Sequence, residues 1–214
     1  MENLLEFIGN ASSALLVGLI ASIATSIAIW LINQIGKNKK ISKNQEKNAS
    51  EVITKALDLA EFALQGDKPA NIRISIFLIE KKQNGLVLSS KFRSSNLAKA
   101  QFSELQYEKW QGVAGQAWGY EAPVVGDLTI AESSGISRWG FTGSQKNLIT
   151  KVKAILVVPI RDRSRGAIIG VLNIESEDPI ADYFKTDHVK KIALEIAAQV
   201  ELLLNAFGLD RLAY

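Results

Sequence analysis

The feature that most constrains this chain is a run of 30 uncharged residues, 7–36, bounded by Glu6 and Lys37. Ten of the 22 residues from Ala11 to Ile32 are Leu, Ile or Val, which contributes about −3 to −6 kcal/mol toward bilayer insertion. A helix of this length is about 33 Å long and can cross a hydrocarbon core of about 30 Å. The sequence therefore predicts a transmembrane helix over 11–34, preceded by a short extracytoplasmic segment, 1–10.

Two other structures fit this segment less well. A cleaved secretory signal has a basic amino-terminal region and an apolar core of about 7–15 residues. Residues 1–10 instead contain Glu2 and Glu6 and no Lys or Arg. A core helix that is apolar around its whole circumference would need more surrounding protein than the rest of the chain provides.

The basic residues that follow the apolar segment indicate its orientation. None precedes it, and five lysines follow within a short distance: Lys37, Lys39, Lys40, Lys43 and Lys47. The positive-inside rule then places the long carboxyl-terminal part in the cytoplasm. We expect a single-pass protein of the cell membrane in which residues 35–49 form a basic juxtamembrane linker that can touch anionic lipid headgroups.

Small residues recur every four positions along the predicted transmembrane helix, at Ala14, Gly18, Ser22 and Ser26. This spacing puts them on one helix face, where two backbones can approach closely and serine hydroxyls can form interhelical hydrogen bonds. The pattern favours a homodimer or a larger homo-oligomer. The alternative is that these residues reflect only the ordinary composition of membrane helices.

Beyond the linker, the hydrophobic period indicates an α+β domain. A helical stripe begins near Ser50 and ends near Gly66, and a second long amphipathic helix covers 187–207. Alternating patterns predict two hairpins, 71–80 with 86–92 across Asn84-Gly85, and 153–162 with 166–176. Between the hairpins lie a glycine-bounded segment (112–119), a short strand (123–125) and a loop of about twenty residues, 127–146.

Composition excludes several classes of site. The chain has no cysteine, which excludes disulfides, thiolate catalysis and cysteine-based metal sites. A net charge of +3 does not by itself indicate nucleic-acid binding. The single histidine, His188, follows Asp187 at a helix start, and Glu175/Glu177 and Asp178/Asp182 are expected to be solvated. We predict no catalytic residues, metal site or cofactor.

Five segments in the carboxyl-terminal part resemble a GAF domain, and the resemblance covers about 50–207, leaving 208–214 as a tail. The segments are GVAGQAW (112–118), APVVGD (122–127), KAILVVPI (153–160), IGVLNIES (169–176) and YFKTD (183–187). The resemblance implies a central antiparallel sheet with the terminal helices packed on one face and a small-molecule pocket on the other. It also implies a sensory or regulatory role and dimerisation through the terminal helices.

The family's known ligand patterns are mostly absent. The Asn-Lys-x-x-x-Phe-x-x-x-Asp-Glu pattern of cyclic-nucleotide-binding members does not occur, which weakens that function without excluding it. Bilin-binding and methionine sulfoxide reductase members depend on cysteine, which this chain lacks.

Aromatic and polar residues on the segments that would roof a GAF pocket are the candidate ligand-binding residues. They are Trp118, Tyr120, Asp127, Arg138, Trp139, Phe141 and Lys146. Trp139 or Phe141 could stack on a flat ligand, and Arg138 or Lys146 could bind an anion. The alternative is that Trp118 and Phe141 fill the core while Arg138 is solvated.

The sequence thus favours a membrane-anchored cytoplasmic GAF sensor that binds a small molecule, including nucleotide-like ones, or a protein partner. No output domain follows, so we expect a separate output protein and no catalysis. One alternative is a membrane-disrupting effector in which ligand-driven clustering brings many transmembrane helices together. Another is a membrane scaffold that binds no ligand.

Overall fold

The computed structural model describes residues 43–65, 71–98, 105–129, 139–142, 145 and 150–209. Within these ranges the chain forms an α+β fold of six strands and five helices. In chain order the elements are α1 (Lys43–Gln65), β1 (Ile72–Lys82), β2 (Gly85–Arg93), α2 (Ser95–Ala98), β3 (Gln106–Tyr107), α3 (Gly112–Tyr120), β4 (Val124–Asp127), β5 (Ala154–Arg161), β6 (Ile168–Ser176), α4 (Ala181–Lys185) and α5 (Asp187–Ala206).

The six strands form one sheet in the order β3-β2-β1-β6-β5-β4, and every neighbouring pair is antiparallel. Both predicted hairpins are present, β1 with β2 and β5 with β6. The central contact joins β1 to β6, with Ile72 opposite Ser176 and Leu78 opposite Gly170. The first and last strands therefore lie side by side at the middle of the sheet.

One face of the sheet packs against the terminal helices α1 and α5 and the short helix α4. Alternate β1 residues from Ile72 to Leu78 point to this side, together with Leu156 of β5 and Ile174 of β6. The helices contribute fully buried side chains to the same core, among them Ile53, Leu57, Leu64, Phe184, Val189 and Leu204. The 3.6-residue stripes of α1 and α5 are thus the faces that cover the sheet.

The other face carries a second apolar core beneath α3. Phe77, Val157 and Val171 from the strands contact this core, and Ala117 and Trp118 enter it from α3. The sequence predicted helices on one face only. The structure differs because the glycine-bounded segment 112–119 is itself helical and lies on the opposite side of the sheet from α1 and α5.

Helix α1 begins at Lys43, so the last seven residues of the predicted 35–49 linker are helical. Ala49 is 1 % exposed and belongs to the helix-side core, which explains why the helix extends further than the apolar stripe suggested.

The predicted transmembrane helix, 11–34, lies outside the described residues, as do Ala14, Gly18, Ser22 and Ser26 and most of the predicted 127–146 loop. Among the helices that the structure does describe, none combines the length and the apolar character needed to cross a bilayer.

Candidate functional site

A group of polar side chains occupies the central strands on the face opposite the terminal helices. Strand alternation puts Arg73 and Ser75 of β1 on the same face as Phe77. It does the same for Asn173 and Glu175 of β6. The register places Arg73 opposite Glu175 and Ser75 opposite Asn173, so the four side chains form two adjacent cross-strand pairs.

These four residues are connected to one another, and to Glu177 just after β6, by direct polar contacts. Nη2 of Arg73 lies 3.0 Å from Oε1 of Glu175, and Nη1 lies 2.7 Å from Oε1 of Glu177. Nδ2 of Asn173 donates to Oγ of Ser75 and to Oε2 of Glu175, each at 3.2 Å. The network orients the carboxylate of Glu175 and the guanidinium of Arg73 within the sheet.

Burial governs the electrostatics of this network. The side chains of Arg73 and Glu175 are 10 % and 9 % exposed. Desolvation raises the pKa of Glu175, while Arg73 and Asn173 oppose that shift because they stabilise the carboxylate. Burial, with a smaller contribution from Glu175, raises the pKa of Tyr107 well above its usual range. The site therefore holds titratable groups in a weakly hydrated environment.

The polar group borders a cavity of about 20 Å³, enough for a water molecule. Its walls combine hydroxyl, amide, carboxylate and guanidinium groups with apolar side chains. The lining residues are Ser75, Phe77, Ser90, Arg93, Leu97, Leu105, Tyr107, Ile155, Asn173 and Glu175. A few polar groups on an apolar floor are the kind of lining that small-molecule sites have, although those sites usually enclose about 300–1,000 Å³.

Arg93 supplies the cation of this cavity. It lies opposite Ser75 at the end of β2, and its Nε donates to Oγ of Ser90 at 3.2 Å. Among the described residues this is the only hydrogen-bond partner of its side chain, and guanidinium nitrogens bind anions and carbonyl oxygens. Nε of Arg73 is also a buried donor without a hydrogen-bond partner among the described residues.

The structure separates the residues that the sequence put forward for ligand binding. Trp118, Trp139 and Phe141 are 6–7 % exposed and lie in the core beneath α3, the position that the core-filling alternative assigned to Trp118 and Phe141. Tyr120 is 63 % exposed. Asp127 accepts hydrogen bonds from the backbone N–H and the hydroxyl of Thr129, whereas Arg138 and Lys146 lie outside the described residues.

Sequence reasoning missed the polar residues of the sheet. The expectation that Glu175 is solvated is wrong, because the residue is 7 % exposed and paired with Arg73. A signal was present in the alternation itself. In NIRISIFLIE, Arg73 occupies an inward-facing position of a strand, and in LNIES, Asn173 and Glu175 flank the core residue Ile174. Polar residues at such positions indicate either mutual pairing or a ligand.

Comparisons with known proteins identify the architecture. No family model matches the sequence, and no curated protein matches it. A solved GAF domain superposes with a TM-score of 0.58 at 14 % identity, covering 90 % of this chain and 89 % of that one. The GAF domain of a phosphoenolpyruvate-protein phosphotransferase from Acinetobacter gives 0.51 at 12 % identity, covering 87 % and 95 %.

A third neighbour is an enzyme. The type II free methionine-R-sulfoxide reductase from Thermoplasma acidophilum superposes with a TM-score of 0.53 at 14 % identity, over 76 % of this chain and 96 % of that one. The same fold thus also occurs in an enzyme. The sheet order, the helix layer and these superpositions together show that the described part of the chain has the fold of a GAF domain.

Proposed function

We propose that this chain is a membrane-anchored GAF sensor that binds a small polar ligand with an anionic group in the cavity beside Arg93. The observation that supports this most directly is the hydrogen-bonding capacity that converges there. Arg93 offers terminal donors that have no partner among the described residues, Ser75 and Ser90 offer hydroxyls, and Asn173 is held in place by its bonds to Ser75 and Glu175. Because the cavity holds about one water molecule, a larger ligand would require the lining side chains to rearrange.

The sheet offers a route from the cavity to the terminal helices. β1 and β6 present Ser75 and Asn173 to the cavity on one face and Ile74 and Ile174 to the helix-side core on the other. Since a close-packed core transmits small displacements, ligand binding would shift α1 and α5. A separate output protein would then detect the altered helix surface.

The anchor is the second part of the proposal. The uncharged segment 7–36 is long enough to cross a bilayer, and only six residues separate it from α1. A membrane helix over 11–34 would therefore be coupled directly to α1. Its small-residue face, Ala14, Gly18, Ser22 and Ser26, would bring two copies of α1 together.

Ligand binding is tested by thermal unfolding of the full-length chain with inorganic phosphate, nucleotides, cyclic nucleotides, amino acids and carboxylic acids. A ligand at about a hundred times its Kd adds about 2.7 kcal/mol of apparent stability. Arg93→Met should abolish the stabilisation. The matched control is Lys191→Met, which removes one positive charge from the exposed side of α5 on the other side of the sheet. Equal stabilisation of both variants would refute the assignment of the cavity.

The anchor is tested separately by extraction of membranes at alkaline pH. The full chain should stay in the membrane pellet, and release into the supernatant would refute a spanning helix. Gly18→Leu should reduce cross-linking between copies in the membrane, whereas Leu19→Ile, on a different helix face, should leave cross-linking unchanged.

A further inference from the structure

One end of the sheet gathers four turns, which we call the turn end: residues 81–86, 108–111, 120–121 and 161–166. The β1–β2 and β5–β6 turns share this end because β1 and β6 are antiparallel, with Leu78 opposite Gly170. Arg161 joins the β5–β6 turn to the turn at 120–121, because its guanidinium donates to the backbone oxygen and to the carboxylate of Glu121, each at 3.0 Å. The turn at 108–111 joins the same group through the rings of Trp110 and Tyr120, whose centroids lie 5.1 Å apart.

The turn end is basic, while the opposite end of the described domain is neutral. Its turns contain three acidic residues and six basic ones, which are Lys81, Lys82, Lys109, Arg161, Arg163 and Arg165. All six basic side chains are exposed, whereas Asp162 is only 1 % exposed. Four of the six also form ion pairs: Lys82 with Glu80, Arg161 with Glu121, Arg163 with Glu201 and Arg165 with Asp162. The turns at the other end, 71–73, 93–98, 127–129, 150–153 and 177–187, contain five basic and five acidic residues.

The turn end also exposes large apolar side chains. Leu86, Trp110 and Tyr120 are 48 %, 52 % and 63 % exposed. The remaining large hydrophobic side chains that the structure shows as exposed lie on the helices α1 and α5. Basic residues interspersed with Trp and Tyr are the composition that proteins present to the bilayer interface.

Trp110 is held outward by its backbone. Its φ of 75° is unusual for a bulky residue and is fixed by a 2.8 Å hydrogen bond from its N–H to the carbonyl of Gly115. The indole rests on Gly119, where an added Cβ would lie 2.3 Å from the ring. Lys109 places its ammonium 5.9 Å from the indole centroid. Strain maintained at an exposed aromatic residue is an observation that points to a binding role.

The amino end of α1 points toward the turn end. The carboxylates of Asp58 and Glu61 in α1 accept hydrogen bonds from Ser95 and Ser94. These two serines lie just past the last residue of β2, at the end of the sheet opposite the turn end. The helix is about 27 Å long from Glu61 back to Lys43. This matches the length of β1 between Ile74 and Lys82, about 26 Å, so a helix that runs back along the sheet from Glu61 reaches the turn end near Lys43. The uncharged segment ends at Gly36, and six residues reach at most about 20 Å. The tether therefore enters the domain at the turn end.

From this placement we propose that the turn end docks onto the anionic surface of the membrane that anchors the chain. The basic side chains interact with lipid phosphates, and Trp110, Tyr120 and Leu86 enter the headgroup region. The docking fixes the orientation of the domain, with the strands steep to the bilayer and the ligand cavity at the end away from it. The inference uses the proposed anchor but not the proposed ligand.

The test places a fluorescent reporter at each end of the full-length chain in lipid nanodiscs. Because the chain has no cysteine, Ser164→Cys labels the turn end and Asp182→Cys labels the opposite end, each with an environment-sensitive dye. Asp182 is a suitable control site because its side chain is 97 % exposed. We expect the Ser164→Cys label to brighten at least twofold and shift to the blue when phosphatidylglycerol is added to phosphatidylcholine, and 0.5 M NaCl to reverse the change.

Charge reversal supplies the matched pair of variants. Lys81→Glu with Lys82→Glu, in the exposed β1–β2 hairpin, should return the Ser164→Cys signal to its value in neutral lipid. Lys151→Glu with Lys153→Glu changes the charge equally at the other end and should leave the signal intact. Brominated phosphatidylglycerol should quench tryptophan emission in the parent chain and quench it less in Trp110→Phe.

Three results would overturn the docking: a Ser164→Cys label that ignores anionic lipid, an equal response at Asp182→Cys, or equal effects of the two charge reversals. If alkaline extraction releases the chain, the proposed membrane helix is refuted. Docking of the turn end is then measured with the same two labels by adding preformed vesicles to the labelled chain. Loss of ligand stabilisation in Arg93→Met concerns the cavity alone. The three proposals therefore fail in different experiments.

Discussion

Arg73 and Glu175 face each other across the two central strands, with Nη2 of the guanidinium 3.0 Å from Oε1 of the carboxylate. Both side chains are about nine-tenths buried, on a sheet face whose other residues are largely apolar. The pair joins residues separated by about a hundred positions in the chain. Because each charge is desolvated, removing one partner alone leaves the other charge buried without its counter-ion.

Arg73→Met should destabilise the protein by about 3 kcal/mol, because it leaves the carboxylate of Glu175 buried without its counter-ion. The measurement is urea denaturation followed by circular dichroism. The double variant Arg73→Met/Glu175→Leu removes both charges and should recover most of the loss. A double variant as unstable as the single one would show that the pair itself does not account for the effect.

Glu61→Gln should change how stability depends on pH. Glu61 is 4 % exposed, and burial raises its pKa although Ser94 and Asn96 donate hydrogen bonds to it. When the pKa of a carboxyl is higher in the folded than in the unfolded state, protonation favours folding. The resulting stabilisation is complete below the unfolded pKa, near 4.5, and it is lost as pH rises through the folded pKa.

The difference in unfolding free energy between the parent chain and Glu61→Gln should therefore move in favour of the parent as pH falls from 7 toward 4.5. Urea denaturation at several pH values measures it. Glu51→Gln, on an exposed position of the same helix, is the control. A difference that is constant across this range would contradict the raised pKa.

Gly115→Ala should destabilise the α3 region by about 1–3 kcal/mol, the usual cost of overpacking. A Cβ at this position would lie 2.2 Å from the backbone oxygen of Glu108, which cannot move without breaking the turn before α3. Hydrogen exchange of the α3 amides should accelerate. Gln116→Ala, on the adjacent half-buried position, should leave the exchange unchanged or slow it, since alanine favours the helix.

Thr186→Ala should cost about 1 kcal/mol because it removes the amino-terminal cap of α5. The hydroxyl of Thr186 accepts a hydrogen bond from the N–H of Val189 and donates one to the carbonyl of Tyr183. Thr186→Ser keeps the hydroxyl and should behave like the parent. Thermal unfolding distinguishes the two variants, and equal melting temperatures for both would contradict the capping role.

Local patterns were enough to predict most of the elements. The alternation in NIRISIFLIE and the Asn84-Gly85 turn act within a few residues, so the β1–β2 hairpin follows from the chain alone. The same holds for α5, whose apolar stripe and start at Asp187 are visible in the sequence. Residues 11–34 have the composition of a membrane helix on the sequence evidence, and that assignment stays a prediction.

The sequence by itself determined the four long strands and the two long helices, because their patterns depend on spacing between near neighbours. Only the tertiary structure decided that β1 lies beside β6 and that the end of β2 brings Arg93 next to Ser75. Alternation specifies a face but no partner strand. A buried charge is tolerated only where an opposite charge or a hydrogen-bonding group meets it, and the fold alone brings together residues a hundred positions apart.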